Sequence, residues 1–149
     1  MKKFDFTLQR ILNFREQLLQ KEKNSLSQLN LIMRQLEEEI AALRRETQEL
    51  DTSFREKAQK GVGREEISSH GFKIECGKRR QEELLKKLDR AKYDVFLQTG
   101  VVVKASQEVK KLEKLRDKQQ SEYKYEETKA ETEVIAEQLV IKLYHDRET

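Results

Sequence analysis

Between Leu8 and Phe54 apolar residues return every three or four positions with no Pro or Gly among them, and that run leaves a narrow choice of folds. With Leu12 as an a position of a seven-residue repeat, the a series reads Leu12, Leu19, Leu26, Met33, Ile40, Thr47, Phe54. The d series reads Leu8, Arg15, Glu22, Leu29, Leu36, Leu43, Leu50. Seven residues fall short of two ideal helical turns, so a helix keeping this seam toward a partner winds into a left-handed supercoil. A lone helix of about 50 residues would be roughly 75 Å long and apolar along one narrow stripe. It has no globular core to build and needs a partner helix.

The chain can supply that partner itself. From Gln81 the repeat resumes with an a series of Gln81, Leu88, Val95, Val102, Val109, Arg116, Tyr123 and a d series of Leu84, Ala91, Gln98, Ala105, Leu112, Gln119. These side chains are smaller than those of the first run, so large residues on one helix can interdigitate with small ones on the other. Lys57 and Lys60 followed by Gly61-Val62-Gly63 give the expected stop of the first helix. Glu65 and Glu66 suit the first turn of the next. Four of the five glycines fall between Gly61 and Gly77, which marks that stretch as the hinge, since an interior Gly costs a helix about 1 kcal/mol relative to Ala. Asp5 or Thr7 can cap the start. The expected fold is therefore all-α: one long antiparallel two-helix coiled coil, a helical hairpin over residues 1–149. Helix one runs from about 5 to 60, the turn from about 61 to 70 and helix two from about 70 to 145. Gly100-Val101-Val102-Val103 is the one stretch with strand character, and the helical spacing on both sides makes it helix.

A turn at residues 61 to 70 makes antiparallel partners sum to about 130 to 138, which sets Leu8 opposite roughly residues 122 to 130. Helix two then overhangs helix one, and the apolar patch of Val134, Ile135, Leu139, Val140, Ile141, Leu143 and Tyr144 has no partner within the chain. Exposed patches of this kind mark interaction sites. At the other terminus Ile11, Phe14 and Leu18 widen the seam beyond a and d, presenting more apolar surface than one helix covers.

Charged residues make up 40% of the chain and hydrophobic ones 36%, with neither Pro nor Trp. Such a balance favours disorder unless apolar residues are ordered, and here the heptads order them. The net charge of +3 hides an asymmetry: Lys78 to Lys118 holds thirteen basic against seven acidic residues, whereas Gln119 to Thr149 holds eight acidic against four basic. Solvation of exposed helical faces accounts for many of these charges. The single Cys76 precludes an internal disulfide, no window of 18 residues is apolar, and no apolar run follows the lysines at the start. The expected location is cytoplasmic.

Catalytic patterns are missing. His70 and His145 have no Cys or carboxylate at metal-ligand spacing, and Gly61-Val62-Gly63 lacks both the third glycine of a dinucleotide fingerprint and the Lys-Ser/Thr of a P-loop. A two-helix rod also has no cleft in which to exclude water. The expectation is a non-enzyme with no metal and no cofactor. The basic run Lys78, Arg79, Arg80, Lys86, Lys87, Arg90, Lys92 is interleaved with Glu82, Glu83 and Asp89 and has no aromatic ladder, which makes nucleic-acid binding a minor alternative. A scaffold dimerising through helix one is another.

The opening Phe4-Asp5-Phe6-Thr7-Leu8-Gln9-Arg10-Ile11-Leu12-Asn13-Phe14-Arg15 resembles the "FxFxLxxvLxxR" start of the FliJ family of flagellar export proteins, and Leu112-Glu113-Lys114-Leu115-Arg116-Asp117-Lys118, with Tyr123 beyond it, is similar to that family's "EkLrek" segment. The resemblance covers essentially the whole chain. It implies a stalk similar to the gamma subunit of rotary ATP synthases, in the cytoplasm at the inner face of the cell membrane. Such a stalk enters the pore of the hexameric flagellar export ATPase, stimulates it, contacts the cytoplasmic domain of the export gate protein and recycles export chaperones. By the same resemblance Phe4, Phe6, Leu8, Ile11, Arg15, Leu112, Leu115 and Arg116 face the ATPase, with contact favoured over packing for Phe4, Phe6 and Arg15. Leu50, Phe54, Phe72 and Ile74, at the opposite end of the hairpin, face the gate. Gly71 and Gly77 depart from the family pattern, which expects a more regular start to helix two.

Overall fold

The computed structural model describes residues 3–148. They form an all-α helical hairpin of two helices packed against each other, α1 (Gln9–Lys60) and α2 (Arg64–Glu148). Among the described residues there is no strand. The chain divides into two compact units, Gln20–Val103 and the pair of segments Met1–Leu19 and Lys104–Thr149.

The unit Gln20–Val103 contains the turn, which is far shorter than the glycine content suggests. α1 ends at Lys60 and α2 begins at Arg64, leaving three residues. Gly61 has φ +100°, in the region that only glycine enters without strain. Its N–H donates to the Ala58 carbonyl at 3.2 Å, closing the last turn, and the Ile67 N–H donates to the Gly63 carbonyl at 3.2 Å, opening the next. Lys57 and Lys60 lie at the negative end of the α1 dipole and Glu65 and Glu66 at the positive end of that of α2. The expected hinge over 61–77 is thus corrected to 61–63, and residues 64–80 are helix.

Antiparallel packing follows from the partners: Glu22 meets Gln98, Glu39 meets Arg80, Thr47 meets Gly77, and Phe54 meets His70. A ten-residue turn would have set Phe54 opposite about residue 76 to 84, so the short turn shifts the register. It also carries the repeat of α2 backwards, to Gly77, Ile74 and His70 at successive d, a and d positions, all of them half-buried. Gly77 has a packing reason for being small, because a Cβ there would sit 3.3 Å from the Thr47 Oγ1. The core of this unit is Ile40, Leu84 and Leu88, packed with Met33, Leu36 and Leu43, and Ala91 is buried as well. Fully burying one such aliphatic side chain stabilises by about 1.5–3 kcal/mol, so a thin pair of helices holds together by repeating the layer.

In the other unit Leu12 is fully buried against Phe6 and Val109, with Phe4, Leu8, Leu19 and Leu112 around them. The helix does not start at a polar cap. The Leu8 carbonyl accepts the first helical bond, from Leu12 at 2.9 Å, which makes Leu8 the cap residue. The Gln9 N–H donates to the Phe6 carbonyl at 3.0 Å in the turn that precedes it. Folding Phe6 and Leu8 onto the core outweighs what an Asp5 or Thr7 cap would contribute, typically about 1 kcal/mol. Phe4 closes the cluster, its ring 5.7 Å from that of Tyr123 and tilted by 48°.

Candidate partner-docking surfaces

Seams that face each other are spent on the fold, so a docking surface is what stays exposed after both are satisfied. All the a and d residues of α2 from Gln81 to Tyr123 are buried or half-buried, and so are those of α1 from Leu8 to Phe54 except Arg15 and Leu50.

Of the residues expected to face an ATPase, Phe6 is buried, and Phe4, Leu8 and Leu112 are half-buried in the cluster around Leu12. Their placement corrects the preference for contact at Phe4 and Phe6, because an aromatic side chain already covered by its own chain offers little to a partner. Arg116 is half-buried, with Nε 3.8 Å from the Asp117 carboxylate. Ile11, Arg15 and Leu115 are exposed, as is Phe14. Ile11 and Leu115 each immediately precede an a residue, positions that lie on the same flank of an antiparallel pair. The structure therefore reduces this end to a smaller set built on Ile11, Phe14, Arg15 and Leu115.

Farther along α2 in the same unit, Tyr123 packs its ring near that of Phe4, and every residue from 128 to 148 is exposed. Val134, Ile135, Leu139, Val140, Ile141, Leu143 and Tyr144 are each between 51% and 67% accessible. At 100° per residue they leave no gap around the helix wider than about 100°. This is a segment apolar on all sides, the pattern of a helix surrounded by protein, yet none of the described residues surrounds it.

At the turn, the four residues expected to face a gate do not form one surface. Ile74 is in the seam, and Phe54 is half-buried beneath His70, the two rings stacked 4.0 Å apart and only 3° from parallel. The His70 Nε2 lies 3.6 Å from the Asp51 carboxylate. Phe72 faces away from Ile74 and is exposed, and Leu50 is partly so. Ile67, which the sequence did not single out, adds exposed apolar surface here. An open groove of about 430 Å³ runs between Leu50, Phe54, Lys57, Glu66, His70 and Lys73.

One surface was missed altogether. Tyr93, Phe96, Leu97, Val101 and Val103 are exposed on the side of α2 turned away from α1. The signal was present, since these are the f, b, c and g positions that a two-helix coiled coil normally fills with polar residues. Reading only a and d passed over it.

Among the described residues no helix is long and apolar enough to cross a membrane, and no three His, Cys, Asp or Glu side chains cluster to hold a metal ion. Comparison with protein-family models, curated proteins and solved structures gave no match, so geometry and residue chemistry carry the functional reading.

Proposed function

We propose that this chain is a non-enzymatic stalk of the flagellar type III export apparatus, docking in the pore of the hexameric export ATPase, stimulating it and linking it to the export gate protein and export chaperones. The observation that carries the reading is the segment Val134–Tyr144, apolar all round and uncovered on every side. A flat partner would leave half of it in water, whereas a ring of subunits closes around it. Ile11, Phe14, Arg15 and Leu115 add exposed surface in the same unit. The aromatic opening and the Leu112–Lys118 segment bring the family resemblance. The competing scaffold reading, a dimer through helix one, would use the α1 seam, and α2 already covers that seam. On the stalk reading the protein acts at the inner face of the membrane through the gate and uses no cofactor.

The test is hydrolysis by the purified flagellar export ATPase with the full chain and with a variant carrying Ile135→Glu, Leu139→Glu and Ile141→Glu. These residues touch no part of the packed core, so helicity and the melting midpoint should stay unchanged while stimulation falls at least tenfold. Undiminished stimulation by a folded triple variant would overturn the reading.

A further inference from the structure

The outward stripe on α2 is independent of the surfaces used above, and its composition is unusual for a face that packs on nothing in its own chain. Phe96 is 72% accessible, the highest value of any large apolar side chain among the described residues. Tyr93, Phe96, Leu97, Gly100 and Val101 follow one another at i, i+3, i+4, i+7 and i+8, the spacing of a helix-docking face. They lie roughly opposite Leu88, Ala91, Val95, Gln98 and Val102, which are covered by α1. Contiguous apolar patches of a few hundred Å² on a soluble chain are often functional.

Gly100 gives the stripe its shape. After Pro, Gly is the poorest helix former, and a Cβ at Gly100 would meet nothing within 4 Å, so no contact inside the chain calls for it. What its missing side chain leaves is an open gap in the row of side chains, between Phe96 and Leu97 one turn before and Val103 one turn after. A gap bounded by side chains one turn apart receives a knob from another helix. A lipid bilayer has no use for it.

The charges select among helices. Lys86, Lys87, Arg90 and Lys92 precede the stripe, and none of them takes part in an ion pair among the described residues. Asp89 and Asp94 offset them only in part. A second copy does not answer this charge. In a parallel pair the basic run faces itself, and in an antiparallel pair centred on Leu97 it faces residues 102–108, where the one acid, Glu108, is offset by Lys104 and already paired with Lys111. We infer that the outer face of α2 around Phe96 and Gly100 is a docking site for an amphipathic helix of another protein, one that sets apolar knobs against Tyr93, Phe96, Leu97 and the Gly100 gap and carries carboxylates beside the lysines.

The test uses three synthetic 21-residue helices with Leu, Met or Phe at i, i+3, i+4 and i+7 and Glu flanking them, each paired with a version in which Lys replaces Glu. Binding to the full-length chain is read by fluorescence anisotropy. At least one acidic peptide should bind, with affinity falling about tenfold or more on Phe96→Ser, as for a central anchor of an interface, and falling again as salt rises. Gly100→Ala is the sharper variant: it should raise the melting temperature of the chain and still weaken the peptide severalfold, a combination that a purely structural stripe does not produce. Equal binding of the Lys peptides, or no binding of any acidic one, overturns the inference. So does concentration-dependent dimerisation abolished by Phe96→Ser, which would make the occupant a second copy, or phosphatidylglycerol vesicle binding abolished by the same change, which would make it a bilayer.

Discussion

Glu22 and Gln98 form a hydrogen-bonded polar layer across the seam, and their replacement distinguishes stability from specificity. Both occupy d positions and are half-buried. The Gln98 amide donates to the Glu22 carbonyl at 3.0 Å and to its Oε2 at 2.6 Å. A hydrogen bond to a charged group contributes about 1.5–3 kcal/mol, and partial exposure brings this pair to the lower end. Gln98→Ala should therefore cost about 1–2 kcal/mol, since it leaves the carboxylate without its donor. Replacing both residues by Leu removes the polar groups together and adds apolar burial. Such double changes are commonly neutral or stabilising by about 1–4 kcal/mol, so Glu22→Leu with Gln98→Leu should equal or exceed the natural chain. A polar layer also fixes register and oligomeric state, and the double variant should accordingly lose its single assembly. The assay is urea unfolding followed by circular dichroism at pH 7 on the natural chain, Gln98→Ala, both single Leu variants and the double, with light scattering on a sizing column. Single effects that sum to the double within about 0.3 kcal/mol, the limit expected of independent sites, would refute the coupling. A strictly monomeric double variant would refute the role in specificity.

Phe6→Ala should cost about 3–5 kcal/mol, the usual loss for a buried aromatic, whereas Ile11→Ala should stay within about 0.5 kcal/mol as a surface change; melting curves of the two decide whether the aromatic opening is core. Gly71→Ala, with open space around its Cβ, should gain up to about 1 kcal/mol of helix propensity. Gly77→Ala should gain nothing until Thr47→Ala removes the hydroxyl that its Cβ crowds at 3.3 Å.

The two-helix fold was legible because a seven-residue repeat calls for a partner helix, and the residues named in the two a and d series are covered, Arg15 and Leu50 excepted. Its turn is shorter than the glycine count suggests because the glycines serve different purposes. Gly61 holds a positive φ and is a true breaker, while Gly77 sits mid-helix as the small member of a layer opposite Thr47. Propensity penalises both equally, and packing separates them. His70 was likewise weighed only as a metal ligand, although its d position places it on Phe54 and beside Asp51. Phe4 and Phe6 were misjudged for a related reason. They precede the helix, where the repeat predicts nothing, and the Thr7–Leu8 turn brings them back onto the seam.

The exposed surfaces obey a different logic from the core, and angular distribution is what tells them apart. From Val134 to Tyr144 the apolar residues encircle the helix, a distribution that only a partner on every side would cover. Around Phe96 they occupy one side only, opposite a seam already filled, a distribution that one partner helix would cover. A helix with one buried stripe and one exposed stripe half a turn away has little amphipathic contrast when averaged along its length. The averaging conceals a surface that the seven-position assignment displays residue by residue. The same distinction governs how each surface fails. A single charged substitution at Phe96 removes the centre of a one-sided interface, whereas the encircled segment keeps contacts on its remaining sides and loses function only when several sides are charged together, as Ile135, Leu139 and Ile141 are in the triple variant.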